Sequence, residues 1–380
     1  MATLGETLRI AIERIVPGGD GMGRVDGQAV FVPFSAPGDL LEARLVERKA
    51  GYARAEIVAI LEPGPGRAEP SCPYYGECGG CNLQHLGYEA QLEAKQGIAR
   101  DAWLRSGGIA DVGFDVVPCS PLGYRNRAQF HEGASGRLGY ARRASSDILE
   151  VRSCPVLVPA LRLWLESGAG MPGKAGKAAT DGRFVAFGYG ERVYLEGVDR
   201  EATVEVGGKA FRFDPGGFFQ SNLEMVERLA PAVCAGLSGE RAADLYCGVG
   251  LFAAFLREGF GSLCCVEQEK RSIGLACSNV GPGAAFAASR IEEWTRSPQA
   301  RARFDYVVVD PPRAGLGAQV RAWLASSRPE RIGYVSCDPV SLARDAGFLV
   351  KAGYEVESAS LLDFYPQNSH VESHVRFRLA

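Results

Sequence analysis

Apolar and polar side chains alternate in short runs through "TLRIAIERIVPGGDGMGRVDGQAVFVPFSAPGDLLEARLVERKAGYARAEIVAIL", and Gly, Pro and Asp interrupt the runs. A period of two broken at turn residues predicts β-strands with one buried face. The length and number of the runs suit a five-stranded OB-like barrel over residues 1–62. Such barrels commonly bind oligonucleotides, but the charges here nearly cancel, so the expectation rests on strand pattern alone. After a Pro/Gly-rich linker, "EPGPGRAEP", the period changes. "YEAQLEAKQGIARDAWLRS", residues 88–106, puts Leu92, Ala99 and Trp103 on one helical face with charges opposite. The rest of the central segment, residues 63–214, mixes strands with "SGAGMPGKAGKAATDG", which predicts a surface loop without chemistry. From 215 to 380 strands alternate with helices, as in "RAADLYCGVGLFAAFLREG" followed by "SLCCVEQ" and "EKRSIGLACSNV". That order predicts a doubly wound, mainly parallel α/β sheet whose ligand sits beyond the strand carboxyl ends.

Composition sharpens this in three places. A 380-residue chain with 46% hydrophobic content can bury the cores of two or three domains. Charge throughout "MATLGETLRIAIERI", with no apolar run of roughly 18 or more residues, predicts a cytoplasmic protein with no membrane contact. The net charge of −3 argues against a uniformly basic nucleic-acid binder, yet Arg125, Arg127, Arg137, Arg142 and Arg143 face only Glu132 within Tyr124–Arg143. Eleven cysteines, three of them crowded into "CPYYGECGGC", argue in a reducing compartment for metal or catalytic chemistry rather than disulfides.

Cys72, Cys78 and Cys81 can offer three thiolates to one centre, zinc or [4Fe-4S], which wants a fourth. The downstream candidates are Cys119 and Cys154, and Cys154 is followed by proline as Cys72 is. The spacing differs from the three-Cys loop of radical enzymes, so a structural or RNA-positioning role is expected. In the α/β segment the turn Asp244-Leu-Tyr-Cys-Gly248-Val-Gly250 lacks the third glycine of a dinucleotide fingerprint and so does not point to NAD. With Glu267 ending the next strand, it suits a nucleoside ligand whose ribose hydroxyls donate to carboxylates. "FDYVVVDPPRAG" reads as a buried strand ending at Asp310, where two prolines forbid continuation. "YVSCDPVSLARD" ends at the same rim: Asp338 caps a helix, Pro339 is its first residue, and Cys337 stands just ahead of a terminus that favours thiolate, opposed by the Asp338 charge.

Taken in order, "PGGDGMGR", "CPYYGECGGCNLQH", "YRNRAQF", "GGFFQSN", "DLYCGVGLF", "DPPRAG", "SCDPVSLARD" and "DFYPQNSHVESHVRF" resemble the S-adenosylmethionine-dependent RNA 5-methyluridine methyltransferases almost end to end. The resemblance implies a Rossmann-like class I methyltransferase domain (215–380). It also implies an N-terminal TRAM barrel for RNA binding (1–62) and a small α+β RNA-recognition domain carrying an iron-sulfur loop (63–214). It implies Cys337 as the nucleophile that adds to C6 of uracil, Glu372 as the base that removes the C5 proton, and Asp310 at the junction of cofactor and target base. Gln220, Tyr246 and Glu267 fall on its cofactor positions, with Asp244, Gly248 and Asp310 beside them. Cys72, Cys78, Cys81 and Cys154 fall on its [4Fe-4S] ligands. The target uridine should be flipped out, with Arg125, Arg127, Arg142 and Arg143 near its phosphates. His370 is assigned an orienting role and Cys247 a place near the cofactor without chemistry.

The chain departs from the family where Gln367-Asn368-Ser369 replaces a threonine-bearing stretch and where Arg290 replaces a polar cofactor contact. A lean central segment leaves the RNA target the most open inference. The 23S ribosomal branch is preferred, and a transfer RNA uridine is the alternative of the same chemistry. A non-catalytic iron-sulfur RNA-binding protein is the alternative of another class. A monomer is expected.

Overall fold

The computed structural model describes residues 4–168 and 182–380, so most of the predicted central loop lies outside the described residues. The first five strands, β1 (Thr7–Ile15), β2 (Gly21–Val25), β3 (Gln28–Val32), β4 (Leu40–Arg48) and β5 (Tyr52–Glu62), form a closed barrel in the order β1-β2-β3-β5-β4. Ile10, Ile12, Val30, Val32, Leu41, Ala43 and Leu45 fill its interior, each separated from the next on its strand by an outward residue, as the alternation predicted.

The predicted helix is α1 (Tyr88–Ala102), prolonged by a wider π-type turn over Trp103–Gly107. Leu92, Ala99 and Trp103 are buried on it as expected. Gln91 and Lys95, read from sequence as its polar side, are buried too, because a carboxylate far along the chain meets the lysine. Then come β6 (Asp115–Val117), β7 (Arg127–Glu132), β8 (Leu138–Ala141), β9 (Ile148–Glu150), α2 (Pro159–Glu166), β10 (Arg183–Tyr189) and β11 (Arg192–Leu195). Strands β11-β10-β7-β8-β9 make an antiparallel sheet whose Phe130 and Phe184 pack with Leu161 and Leu165 of α2. A hairpin, β12 (Ala202–Val206) and β13 (Lys209–Phe213), leads into the C-terminal layer.

That layer comprises α3 (Leu223–Cys234), β14 (Gly239–Leu245), α4 (Leu251–Leu256), β15 (Phe260–Glu267), α5 (Lys270–Val280), β16 (Ala284–Ala288), α6 (Ile291–Trp294), β17 (Tyr306–Val309), α7 (Ala318–Ser327), β18 (Arg331–Ser336), α8 (Pro339–Lys351), β19 (Tyr354–Leu362) and β20 (Glu372–Leu379). Its sheet runs β16-β15-β14-β17-β18-β20-β19-β6, parallel from β16 to β18, with β20 inserted antiparallel to both neighbours. Both faces are covered: Tyr306 and Val308 of β17 point to one core, Val307 and Val309 to the other. Each such valine stabilises the fold by about 1.5–3 kcal/mol. Helix α1 packs on α8, where Gly347 comes so near the π-type turn that an added Cβ would lie 2.4 Å from the Gly107 carbonyl oxygen. Residues on the α1–β6 segment thus share the core of the C-terminal sheet. No helix among the described residues is long and apolar enough to cross a membrane.

Candidate active site

Strand order reverses between β14 and β17, and in open α/β sheets a ligand crevice forms at the carboxyl ends beside such a reversal. A cavity of about 1230 Å³ opens there, walled by Gln220, Tyr246, Gly248, Glu267, Arg290, Asp310, Arg313, Cys337, Tyr365, His370 and Glu372. Sequence reasoning had placed Gln220, Tyr246, Gly248, Glu267, Asp310, Cys337 and Glu372 in one site, and the structure brings them together.

On the cofactor side, the turn after β14 is tight. Tyr246 adopts φ +65°, unusual for a non-glycine residue and of a kind that concentrates at functional sites. Gly250 has φ +85°, and a Cβ on it would meet Val280 of α5 at 2.7 Å, so the turn seats against that helix only with glycine. Gly248 N–H donates to one Glu267 carboxylate oxygen at 3.2 Å and Glu269 N–H to the other at 2.8 Å. Glu267 is thereby fixed with its remaining lone pairs free for a diol. Asp244 does not line the cavity. It lies fully buried behind the turn, where Oδ2 accepts from Ala253 N–H at 2.9 Å and Oδ1 has no partner. Burial pushes its carboxyl well above the usual range, with Asp310 and Glu267 adding to the rise. Arg290 reaches the wall at the start of α6, 3.9 Å from Glu292.

On the other side the register explains the meeting of thiol and carboxylate. Ser336 of β18 faces Ser373 of β20, so the next residues outward are Cys337 and Glu372. Asp338 caps α8, accepting from Ser341 N–H at 2.7 Å, and Pro339 is the first helical residue, as the sequence predicted. Burial pushes the Cys337 thiol up to about 11, and the charges of Glu372 and Asp310 add to it. The Asp338 carboxylate is engaged in the cap. Arg313 opposes the rise by its charge. Burial, then Asp310, raises Glu372 well above the carboxylate range, again opposed by Arg313. Burial alone brings Asp310 to about 7. Three acids around one guanidinium cannot all ionise together cheaply.

Arg313 was missed from sequence although it stands in "DPPRAG"; the signal was a cation three residues after the strand-end acid. Its loop is braced by the end of "SLARD": Asp345 accepts from Leu316 N–H at 2.8 Å, and Arg344 donates to the Ala314 carbonyl at 3.0 Å.

Cys72, Cys78, Cys81 and Cys154 are free and partly buried. Burial raises Cys78, Cys81 and Cys154, with Cys81 reaching about 12, and each also feels the charge of others in the set. Gly80 N–H points at the Cys78 sulfur, 3.4 Å away. Cys119 lies elsewhere, against Asn222 and Glu224. Among the described residues no three His, Cys, Asp or Glu side chains are arranged to hold a metal ion. Arg125, whose Nε donates to the Arg127 carbonyl at 3.0 Å, carries its charge beside Cys154 and three tyrosines. Arg127 donates to Gly217 O at 3.2 Å, next to the cavity. Arg142 and Arg143 have partners that their local sequence does not show: Glu77 at 2.5 Å for the first, the Phe34 ring at 4.5 Å for the second.

Residues 2–58 match the family described as TRAM domain, and residues 297–379 match tRNA (Uracil-5-)-methyltransferase. A Treponema denticola protein named "Uncharacterized RNA methyltransferase" is 33% identical, with 93% of this chain and 94% of that protein aligned. A Shewanella amazonensis protein named 23S rRNA (uracil(1939)-C(5))-methyltransferase RlmD is 29% identical over 99% of this chain and 96% of its own. Among solved structures, the Pyrococcus abyssi tRNA (uracil-54, C5)-methyltransferase in complex with S-adenosyl-L-homocysteine superposes with a TM-score of 0.71 at 25% identity, covering 97% of this chain and all of that one.

Proposed function

The chain belongs to the RNA uracil-C5 methyltransferases, which use S-adenosylmethionine, and from that premise we propose how its own residues perform the reaction and on which RNA. The observation that carries the mechanism is the shared cavity of Cys337, Glu372, Asp310 and Arg313. Carbon 5 of uracil is a weak nucleophile. The Cys337 thiolate, favoured by Arg313, adds to C6 and moves the electron pair onto C5 and O4 as an enolate. Tyr246, Gly248, Glu267 and Gln220 would hold S-adenosylmethionine, which would supply the methyl group that C5 takes up and leave as S-adenosylhomocysteine. Glu372, whose raised proton affinity suits a base, releases its own proton to solvent as the site loads and then, as the carboxylate, removes the C5 proton; the C5–C6 double bond re-forms and the C6–S bond breaks to return the thiolate. Asp310 accepts from uracil N3–H. The base reaches this depth flipped out of its stack, with Arg125 and Arg127 toward its phosphates.

We propose 23S ribosomal RNA as the substrate, in the cytoplasm, supported by the activity that relatives aligned over nearly the whole chain are named for and by the barrel at residues 1–62. The working division is 1–62 for RNA capture, 63–214 for recognition and 215–380 for methyl transfer. We propose that Cys72, Cys78, Cys81 and Cys154 would hold a [4Fe-4S] cluster: all four thiols are free and partly buried, Cys78, Cys81 and Cys154 each feel the charge of others in the set, and a four-iron core spans wider than the single-ion geometry that is absent there. There it would order the loop. A transfer RNA uridine is the second reading, favoured by the likeness to the uracil-54 enzyme.

Mapping 5-methyluridine in total RNA with and without the gene decides the target: loss of one ribosomal site is expected, and loss in transfer RNA alone overturns the ribosomal reading. In vitro, Glu372→Gln should trap a protein–RNA adduct that survives denaturant; normal turnover in that variant would sink the mechanism.

A further inference from the structure

Between β19 and Glu372 runs a loop, residues 363–371, with an unusual dependence on the N-terminal half of the chain. Gln367 has φ +68°, a conformation that a non-glycine residue keeps only when its surroundings impose it. Those surroundings are side chains from two earlier segments. Gln91 of α1 accepts from Gln367 N–H at 2.8 Å and donates to the Gln367 side-chain oxygen at 3.0 Å. Asn82, next to the cysteine loop, accepts from Ser369 N–H at 2.9 Å and donates to the Ser369 hydroxyl at 3.0 Å and to Gly18 O of the barrel at 2.7 Å. Lys95 pairs with Asp363 and donates to Tyr365 O at 2.8 Å. Gln91, Lys95, Asp363, Gln367 and Ser369 are all at most 9% exposed.

Leu92, Ala99 and Trp103 bury the apolar face of α1 apart from these polar contacts. Buried polar groups tied in reciprocal pairs fix geometry more than they add net stability. What they fix is the backbone just before Glu372, the first residue of β20. We propose that Gln91 and Asn82 are positioning residues for C5 deprotonation: they hold the 367–369 backbone so that the Glu372 carboxylate meets the C5 proton. The inference rests on the reading of Glu372 as the base. Displacing a catalytic group by about 1 Å costs roughly 100-fold in rate, and here the slowed step comes after the covalent bond has formed.

The test compares Gln91→Ala, Asn82→Ala and the milder Gln91→Asn and Asn82→Asp with wild type and Glu372→Gln, in kcat, KM for RNA, melting temperature and denaturant-resistant adduct. The alanine variants should lose about 10–100-fold in kcat with KM within about threefold, and should accumulate adduct during turnover. Asn82→Asp keeps the acceptor for Ser369 N–H but sets an oxygen against Gly18 O, so it should recover only part of kcat relative to Asn82→Ala; Gln91→Asn withdraws the amide and should still accumulate adduct. Lower kcat without adduct, or wild-type kcat, overturns the proposal while Glu372→Gln still traps its adduct. Absence of adduct in Glu372→Gln overturns the base assignment and the clamp with it.

Discussion

Two groups of cysteines share this molecule, and burial raises the thiols in both, yet their surroundings differ in kind. Cys337 stands alone, facing two carboxylates and one guanidinium at the edge of a large cavity. At Cys78, Cys81 and Cys154 burial and local hydrogen bonds come first, and the charges that raise them further are those of other thiols, with Arg125 as the cation near Cys78 and Cys81. A lone thiol balanced between acids and a cation can change charge during a cycle. A set of mutually repelling thiols gains most when one positive centre holds them all. Neighbours, rather than burial, separate the role proposed for Cys337 from the role proposed for the other set.

The largest effect should come from exchanging which group is damaged. Cys337→Ala is expected to cut methylation by roughly 10⁴-fold or more with folding unchanged. Cys154→Ala should lower the melting temperature and iron content of anaerobically purified protein, leaving turnover per folded molecule within an order of magnitude. Equal losses of activity from both would erase the distinction. Next, Arg313→Gln removes the cation opposing the rise at Cys337, so the thiol climbs further. Less thiolate is then present at a given pH, so turnover near pH 7.5 should fall about 10–100-fold and recover partly as pH rises; a flat pH profile would free the thiol from Arg313.

The smallest effect concerns stability. Burial lifts Asp310 from the ordinary 3.8 to about 7, so between those values the folded state holds its proton more tightly and stability falls as pH rises. Asp310→Asn should therefore stabilise the protein at pH 8 by about 1–3 kcal/mol and by nothing measurable at pH 4, read from denaturant midpoints. A gain at both pH values would point to packing instead.

Much of this was legible locally. The alternation through Thr7–Glu62, the Asp338 cap with Pro339 behind it, and the strand ends at Asp310 and Cys337 all depend on residues close in sequence. What escaped depends on partners far away. Lys95 looked like the polar side of a helix because Asp363, 268 residues on, is invisible from its neighbours. Arg142 looked like a free cation because Glu77 is 65 residues back. Strand β6 is three residues long and pairs with β19 across the chain, too short for a periodic signal. Arg313 was hidden differently: its motif was read for the acid and the prolines, while its role appears only once β17 and β18 set two strand ends side by side.

Strand β20 has a temporal meaning as well as a spatial one. It fills a slot between β18 and β19, both of which leave the ribosome before it. On the proposed mechanism, a growing chain that has already made Cys337 holds the nucleophile with no base beside it, and its sheet has a gap one strand wide. The proposed pair of Cys337 and Glu372 is completed only when the later strand threads between two earlier ones, so reactivity toward RNA would arrive together with the closing of the sheet.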